Sequence, residues 1–383
     1  MKALVLDCET SVFMKGHPYA QRNKLCLVGT FSDLGYHSYR IEYDASPYGQ
    51  SLVELQKKID DADLLIFFNA KFDIAWCRRY GMHIEKPIWD LQYSYYCQMG
   101  QEVKLPSLNT LLTHYNFPLK YDKVKLDYWD KGIDTPDIPF PILDEYCKGD
   151  CEGEWNCFQE QIKDLKDQPQ LKKLIWTGCQ DILITQEMEH NGLYFNNELS
   201  IELGKEIEAK IEALDNELQS IIPDPNINWN SGDHVSSILY GGVVKYPTRE
   251  SYERVLKSGK VVQKEHWVTK EVQFERLVEP AKGTNRTKEG FYEVNEGVLK
   301  LLKAYGKAKQ LISVILERKK LEKSLSTYFY GFPELYKEMD WKDSILHGQL
   351  NHCITVTGRL SSNKPNQQNL EEGIRKCFQT RFK

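Results

Sequence analysis

Apolar residues in the first ninety positions fall in short runs separated by polar stretches with helical spacing. Met1 to Leu6, Leu25 to Phe31, Tyr36 to Tyr43 and Leu64 to Phe68 read as strands, and Ser51 to Ile59 and Lys71 to Tyr80 as helices. Strand and helix in alternation predict an α/β layer architecture. From about Lys163 the period changes. Leu203, Ile207, Ile211, Leu214, Leu218 and Ile221 recur at spacings of four and three, which predicts a long amphipathic helix closed by Pro223 and Pro225. Tyr305, Ala308, Ile312 and Ile315 mark a second helix. Between them, Tyr246 to Tyr292 is polar and punctuated by Gly259, Pro280, Gly283 and Gly290, a strand-and-loop insertion.

A chain of 383 residues has room for two or three domains, and 41% hydrophobic with 27% charged residues is the balance of a folded protein. The longest apolar run, Leu64 to Phe68, is far short of the roughly 20 residues that span a bilayer. No signal peptide precedes the first strand, so no membrane partner and a cytoplasmic location are expected. The ten Cys lack a disulfide framework and a C-x-x-C pair, and read as reduced thiols. Cys147 and Cys151 can share a helix face; with no His to complete a ligand set, packed core thiols are the preferred reading over zinc. A net charge of -5 confines any nucleic-acid contact to local patches. Leu301 to Tyr330 is such a patch, with Lys303, Lys307, Lys309, Arg318, Lys319, Lys320 and Lys323 against Glu317 and Glu322. A phosphate backbone is its expected partner, and a solvated helix face the plainer alternative.

Carboxylates supply the candidate chemistry. In Leu6-Asp7-Cys8-Glu9-Thr10 the alternation of a strand puts Asp7 and Glu9 on one face, where they repel unless a divalent cation with oxygen ligands sits between them. The triplet alone says little, because Asp150-Cys151-Glu152 and Asp215-Asn216-Glu217 repeat it, the latter on a helix whose solvated face accounts for it. Its place at the end of an apolar strand sets the first copy apart. In Phe67-Phe68-Asn69-Ala70-Lys71-Phe72-Asp73 a buried strand enters a helix whose first turn returns Asp73 toward the strand end. Tyr146 and Asp150 stand four apart, on one face of a helix. Tyr336 and Asp340 share that spacing and are given no role.

D-x-E, then N-x-x-x-D about sixty residues on, then Y-x-x-x-D, resembles the DEDDy exonuclease family with its ribonuclease-H-like fold and mixed sheet, over roughly residues 1 to 165. Trp89-Asp90-Leu91 and Ser107-Leu108-Asn109-Thr110-Leu111 are similar to the family's connecting segments. The resemblance implies that Asp7, Glu9, Asp73 and Asp150 hold two magnesium or manganese ions, that Tyr146 orients the attacking water, that Asp7 bridges both ions and that Asp73 acts through water. Asn69 is a helix-entry cap or a substrate contact.

Thr357-Gly358-Arg359-Leu360-Ser361-Ser362-Asn363-Lys364-Pro365-Asn366-Gln367-Gln368-Asn369-Leu370 resembles the T-G-R-L-S-S and P-N-x-Q-N segment of family A DNA polymerases. Arg359 can address minor-groove acceptors present at every base pair, with Asn366, Gln368 and Asn369 as amide donors. Glu189 to Phe195 is similar to the family's start-of-polymerase turn, Asn228-Trp229-Asn230-Ser231 to a short strand before the thumb, and the basic helix Lys303 to Lys323 to the thumb itself. The expected order is an exonuclease domain at 1–165, a mainly α-helical thumb region at 166–345 with an insertion at 246–292, and an incomplete palm at 346–383. The family's D-x-S-Q-x-E and H-D-E elements do not occur in the sequence. The expected function is therefore magnesium-dependent 3'-5' proofreading at single-stranded 3' ends and grip on primer-template DNA; palm and fingers belong either to a longer form of this chain or, the preferred reading, to a second polypeptide, an arrangement suited to a bacteriophage replicase. A non-catalytic DNA clamp and a DEDDy exoribonuclease are the alternatives; T-G-R-L-S-S disfavours the second, having no use in trimming single strands.

Overall fold

The computed structural model describes residues 1–43, 48–120, 123–257 and 259–381. The chain runs β1 (Ala3–Thr10), β2 (Leu25–Ser32), β3 (Gly35–Arg40), α1 (Tyr48–Asp60), β4 (Leu64–Phe67), α2 (Ala70–Arg79), β5 (Ile88–Asp90), α3 (Leu91–Gln98), α4 (Leu108–His114), α5 (Lys123–Asp127), α6 (Phe140–Asp164) and α7 (Pro169–Asn191). It continues through β6 (Leu193–Tyr194), α8 (Asn197–Ile221), α9 (Gly232–Tyr240), β7 (Gly242–Val255), β8 (Val261–Phe274), α10 (Glu296–Leu301), α11 (Gly306–Ser324), α12 (Gly331–Glu338), β9 (Ile345–Leu346), β10 (Gln349–Asn351) and β11 (Ser361–Asn363). Two compact units result: Met1–Asn197 with Phe332–Lys383, and Glu198–Gly331.

The first unit is built on a five-stranded sheet in the order β3-β2-β1-β4-β5. β1, β2 and β3 pair antiparallel, and β4 and β5 extend the sheet in parallel, so the sheet is mixed. Leu4, Leu6, Leu27, Ile66, Trp76 and Trp89 are buried in its core. β1 does not stop at Leu6, where its apolar run ends. Pairing with β2 carries it on to Thr10, while pairing with β4 stops at Val5. The last part of β1 therefore keeps one free edge, just beyond the carboxyl end of β4, the place where ligands gather in sheets of this kind.

α6 crosses β1 and β2, and its approach depends on Gly29, which lies opposite Asp7. A Cβ on Gly29 would stand 2.4 Å from the Cys147 sulfur and 2.8 Å from that of Cys151. All ten Cys are free and buried.

The expected bounds 1–165, 166–345 and 346–383 do not coincide with these units. α7 belongs to the first unit, and residues 332–383 return to it. β9 pairs with β6, Phe195 bridges Phe378, and the Leu105 N–H donates to the Cys353 carbonyl at 2.9 Å. Lys71 donates to Glu189 at 2.7 Å and to the Leu350 carbonyl.

The second unit packs α8, α9, α10 and α11 around Leu218, Val235, Leu239, Leu311 and Ile315. The insertion is a β7–β8 ribbon followed by loop. Asn228 to Ser231, expected as a strand, is a turn. The Asn228 side chain accepts from the Asn230 N–H at 3.0 Å, and Ser231 caps α9. Short polar side chains that bond their own backbone compete with strand pairing, and here they win.

Candidate active site

Three elements of the first unit converge at the open edge of β1. Carboxylate oxygens of Asp7, Glu9 and Asp150 lie within 4.8 Å of one another. Asp7 and Glu9 come from β1 and Asp150 from α6; Glu9 and Asp150 are only 6% and 4% exposed. Asp73, 2% exposed, arrives from the first turn of α2. It is fixed by the backbone, because its Oδ1 accepts the Cys8 N–H at 2.9 Å on the edge that β4 leaves open. Asp73 therefore flanks the group of three.

The helix entry that delivers Asp73 is not capped by Asn69. Asn69 adopts the left-handed conformation with no capping hydrogen bond from its side chain, which is exposed. Asp90 does the work, accepting the Ala70 N–H at 2.7 Å and the Tyr93 N–H at 2.8 Å, so one carboxylate starts both α2 and α3. Burial lifts its pKa to about 6 against the pull of those N–H groups. The sequence placed Asp90 in a connecting segment but gave no sign of this double role.

Tyr146 precedes Asp150 by one helical turn and packs edge-on against Trp129 at 5.7 Å. Burial first, then Glu9 and Asp150, raise its hydroxyl pKa, so it keeps its proton. Burial also raises the Asp7 carboxyl, with Lys120 opposing. Glu9 goes well above the usual range because burial is reinforced by Asp7 and Asp150, and Asp73 does so through burial and Asp7. Negative charge is crowded here in a dry place.

Two further neighbours of these carboxylates were not foreseen. Lys120 forms an ion pair with Asp150, and its ammonium lies 4.4 Å from the centre of the Tyr146 ring. Burial would discharge it, but Asp150, Tyr146, Glu9 and Asp7 hold it protonated. Its backbone N–H is anchored by Asn109 at 3.0 Å. Glu154, one turn beyond Asp150, is 2% exposed and its Oε2 has no hydrogen-bond partner. Burial and the charges of Asp7, Asp73 and Asp150 push its pKa well up. Lys120 lies in a loop without periodicity, and Glu154 looks like any helix glutamate; neither carries a sequence signal. The thiols of Cys147 and Cys151 also gain a third neighbour the sequence did not offer, since their sulfurs and an Asp7 oxygen lie within 4.8 Å of one another.

The expected DNA-facing residues divide. Arg359, Asn366, Gln368 and Asn369 are exposed around the β10–β11 pair of the first unit, and the Asn366 side chain accepts the Gln368 N–H at 3.1 Å. In the second unit Lys303, Lys307, Lys320 and Lys323 are exposed, with Lys303 lying before α11 rather than on it. Arg318 is a correction. It is 8% exposed and grips Asp215 through Nε at 2.5 Å and a terminal nitrogen at 3.4 Å, with Asn230 at 2.6 Å. Its charge is spent inside the unit, and Asp215 is more than a solvated face. Lys319 is likewise half-buried and donates to the Val294 carbonyl at 2.9 Å.

The 3'-5' exonuclease family matches residues 1–160, and DNA polymerase family A matches residues 267–383. Its two parts thus resemble the 3'-5' exonuclease domain and the polymerase region of family A DNA polymerases. It is 24% identical to DNA polymerase I of Synechocystis over 79% of this chain and 26% of that one. It is also 24% identical to the DNA polymerase of Bacillus phage SP01, over 96% of this chain and 43% of the phage protein. The POL domain of Pol1 from M. smegmatis, solved with DNA primer-template and dNTP, shares the fold at a TM-score of 0.66 and 15% identity, over 98% of this chain and 54% of that one. The chain thus spans about half or less of the family A relatives it matches. The match supports 3'-5' exonuclease activity in general, and Asp7, Glu9 and Asp150 form a group that could hold a metal ion. Among the described residues no helix is long and apolar enough to cross a membrane.

Proposed function

We propose that this chain removes mispaired nucleotides from DNA 3' ends by metal-assisted hydrolysis and grips the primer-template beside them. The observation that carries the reading is the meeting of Asp7, Glu9 and Asp150 within 4.8 Å, with Asp73 pinned to the Cys8 N–H alongside. An all-oxygen set of crowded carboxylates suits a hard divalent cation, magnesium or manganese, and such a cation would relieve the repulsion that raises their pKa values. Asp7, Glu9, Asp73 and Asp150 would hold two ions, which supply a hydroxide nucleophile and stabilise the leaving 3' oxygen. Tyr146 keeps its proton and orients the attacking water through its hydroxyl. Lys120 holds Asp150 in place when cations are absent and offers positive charge to a phosphate when they are present.

Arg359, Asn366, Gln368 and Asn369 contact the duplex, and Asn69 the 3' end; Lys303, Lys307, Lys320 and Lys323 meet phosphates. The D-x-S-Q-x-E and H-D-E elements do not occur in these 383 residues, so the proposal assigns them no nucleotide addition.

The test is a 5'-labelled primer with a mismatched 3' end, annealed to template and incubated with magnesium and all four deoxynucleotides. Shortening by the wild type and not by Asp7→Ala supports the exonuclease. No shortening by either, with intact duplex binding, makes the chain a clamp, and equal trimming of RNA ends makes it an exoribonuclease.

A further inference from the structure

The β7–β8 ribbon pairs without interruption from Gly242 opposite Phe274 to Val255 opposite Val261. Only its base is packed, where Val244 and Tyr246 are buried beside α9. From Arg249 to Trp267 every described side chain but Val262 is exposed. A two-stranded ribbon without a core is marginal in water, and both its edges carry unpaired backbone groups. Maintaining one of this length makes physical sense for a surface that is completed by a partner.

The two faces differ in charge. Because side chains alternate, the register puts Lys245, Arg249 and Glu253 on one face with Glu265, Trp267 and Glu271. Its cations are already matched: Lys245 pairs with Glu271 at 2.5 Å and Arg249 with Glu265 at 3.5 Å, and the Arg249 guanidinium lies 4.8 Å from the centre of the Trp267 ring. The opposite face carries Tyr252, Arg254, Lys264, His266 and Lys270 against a lone Glu250. Tyr252 and His266 meet edge to face at 5.1 Å. The turn adds Lys257 and Lys260. Among the described residues, Arg254, Lys257, Lys260 and Lys264 take part in no ion pair, and all four are exposed at the distal end.

We propose that this basic face and tip bind the sugar-phosphate backbone of double-helical DNA. Four unmatched cations on an exposed ribbon complement a phosphate chain and would release its counterions. A β-ribbon fits within a major groove about 12 Å wide, and the distal seven residue pairs, about 20 Å long, reach several phosphates. The face that holds Trp267, where Lys245 and Arg249 meet three glutamates, turns away. This rests on the reading above that the chain works on DNA, and it gives the insertion a substrate contact separate from the exonuclease site.

Binding of the full chain to a labelled primer-template duplex across a salt series tests it. Arg254→Ala, Lys257→Ala, Lys260→Ala and Lys264→Ala combined should lower the slope of log affinity against log salt by about three to four and weaken binding at least about tenfold near 0.1 M salt. Lys245→Ala with Arg249→Ala, on the matched face, should leave both unchanged. Trimming of a single-stranded 3' end at the wild-type rate would show that the fourfold variant is folded. An unchanged slope and affinity in that variant, with the wild type binding normally, overturns the proposal and leaves the ribbon to a protein partner. A wild type that binds no duplex at any salt overturns the DNA reading as well.

Discussion

The carboxylate site of the first unit and the ribbon of the second hold charge in opposite ways. Asp7, Glu9, Asp73, Asp150 and Glu154 are crowded into a dry pocket, where burial raises the pKa of Asp7, Glu9, Asp73 and Glu154 and one lysine supplies the pairing cation. Arg254, Lys257, Lys260 and Lys264 stand in water, where like charges cost little and salt screens them. Buried charge of one sign asks for a small ion of the other at a fixed place, whereas exposed charge suits a long polyanion held loosely. α11 shows both modes within four residues, with Arg318 buried on Asp215 and Lys320 exposed.

The contrast can be broken at several points, beginning with the largest expected effect. Asp7→Ala should lower exonuclease turnover by about a thousandfold or more while duplex affinity stays within twofold. A variant that still trims at a tenth of the wild-type rate would remove Asp7 from the metal site.

Lys120→Ala strips the pairing cation from a buried carboxylate, a loss on the order of 3 kcal/mol in the absence of metal. Melting in chelator should fall, and magnesium should close most of the gap. A gap that is equally wide with and without magnesium would mean that Lys120 acts only through packing.

Arg318→Ala breaks a grip on a partly exposed partner and should cost on the order of 2 kcal/mol by denaturant unfolding. Lys320→Ala should leave stability alone and lower the salt slope of duplex binding by about one. Equal behaviour of the two variants in both assays would sink the distinction drawn along α11.

Glu154→Gln gives the smallest effect, and its sign follows from linkage. Burial raises the folded-state pKa above the ordinary 4.5, so the folded protein holds a proton that the unfolded chain releases. Stability from this group is complete below that pH and is lost as pH rises through the folded pKa. In chelator the variant should therefore melt above the wild type at neutral pH, by roughly a few degrees, with the two converging toward pH 4.5. A margin that does not change with pH would rule out charge as its cause.

Much of the site was legible because strand and helix periods are local. Asp7 with Glu9, and Tyr146 with Asp150, share faces for reasons of backbone geometry alone, and β2, β4, α2 and the ribbon appear near their expected positions. Arg318 was misread for the opposite reason. Its charge counts toward the basic run, but its partner Asp215 is about a hundred positions away, and local composition carries no trace of that pairing. The strand expected at Asn228 to Ser231 failed because Asn and Ser side chains satisfied the backbone first.

By itself the sequence determined which side chains are present, their phase on each strand and helix, and two motif series that resemble an exonuclease and a family A polymerase. Only the tertiary structure decided that β1 outruns β4 and leaves the Cys8 N–H to Asp73, that Gly29 lets α6 bring Asp150 to Asp7, and that Lys120 and Glu154 join them. The physical reason is range. Phase is set by bonds between neighbours, whereas burial, ion pairing and pKa depend on which distant segments the packing of the core brings within a few ångströms.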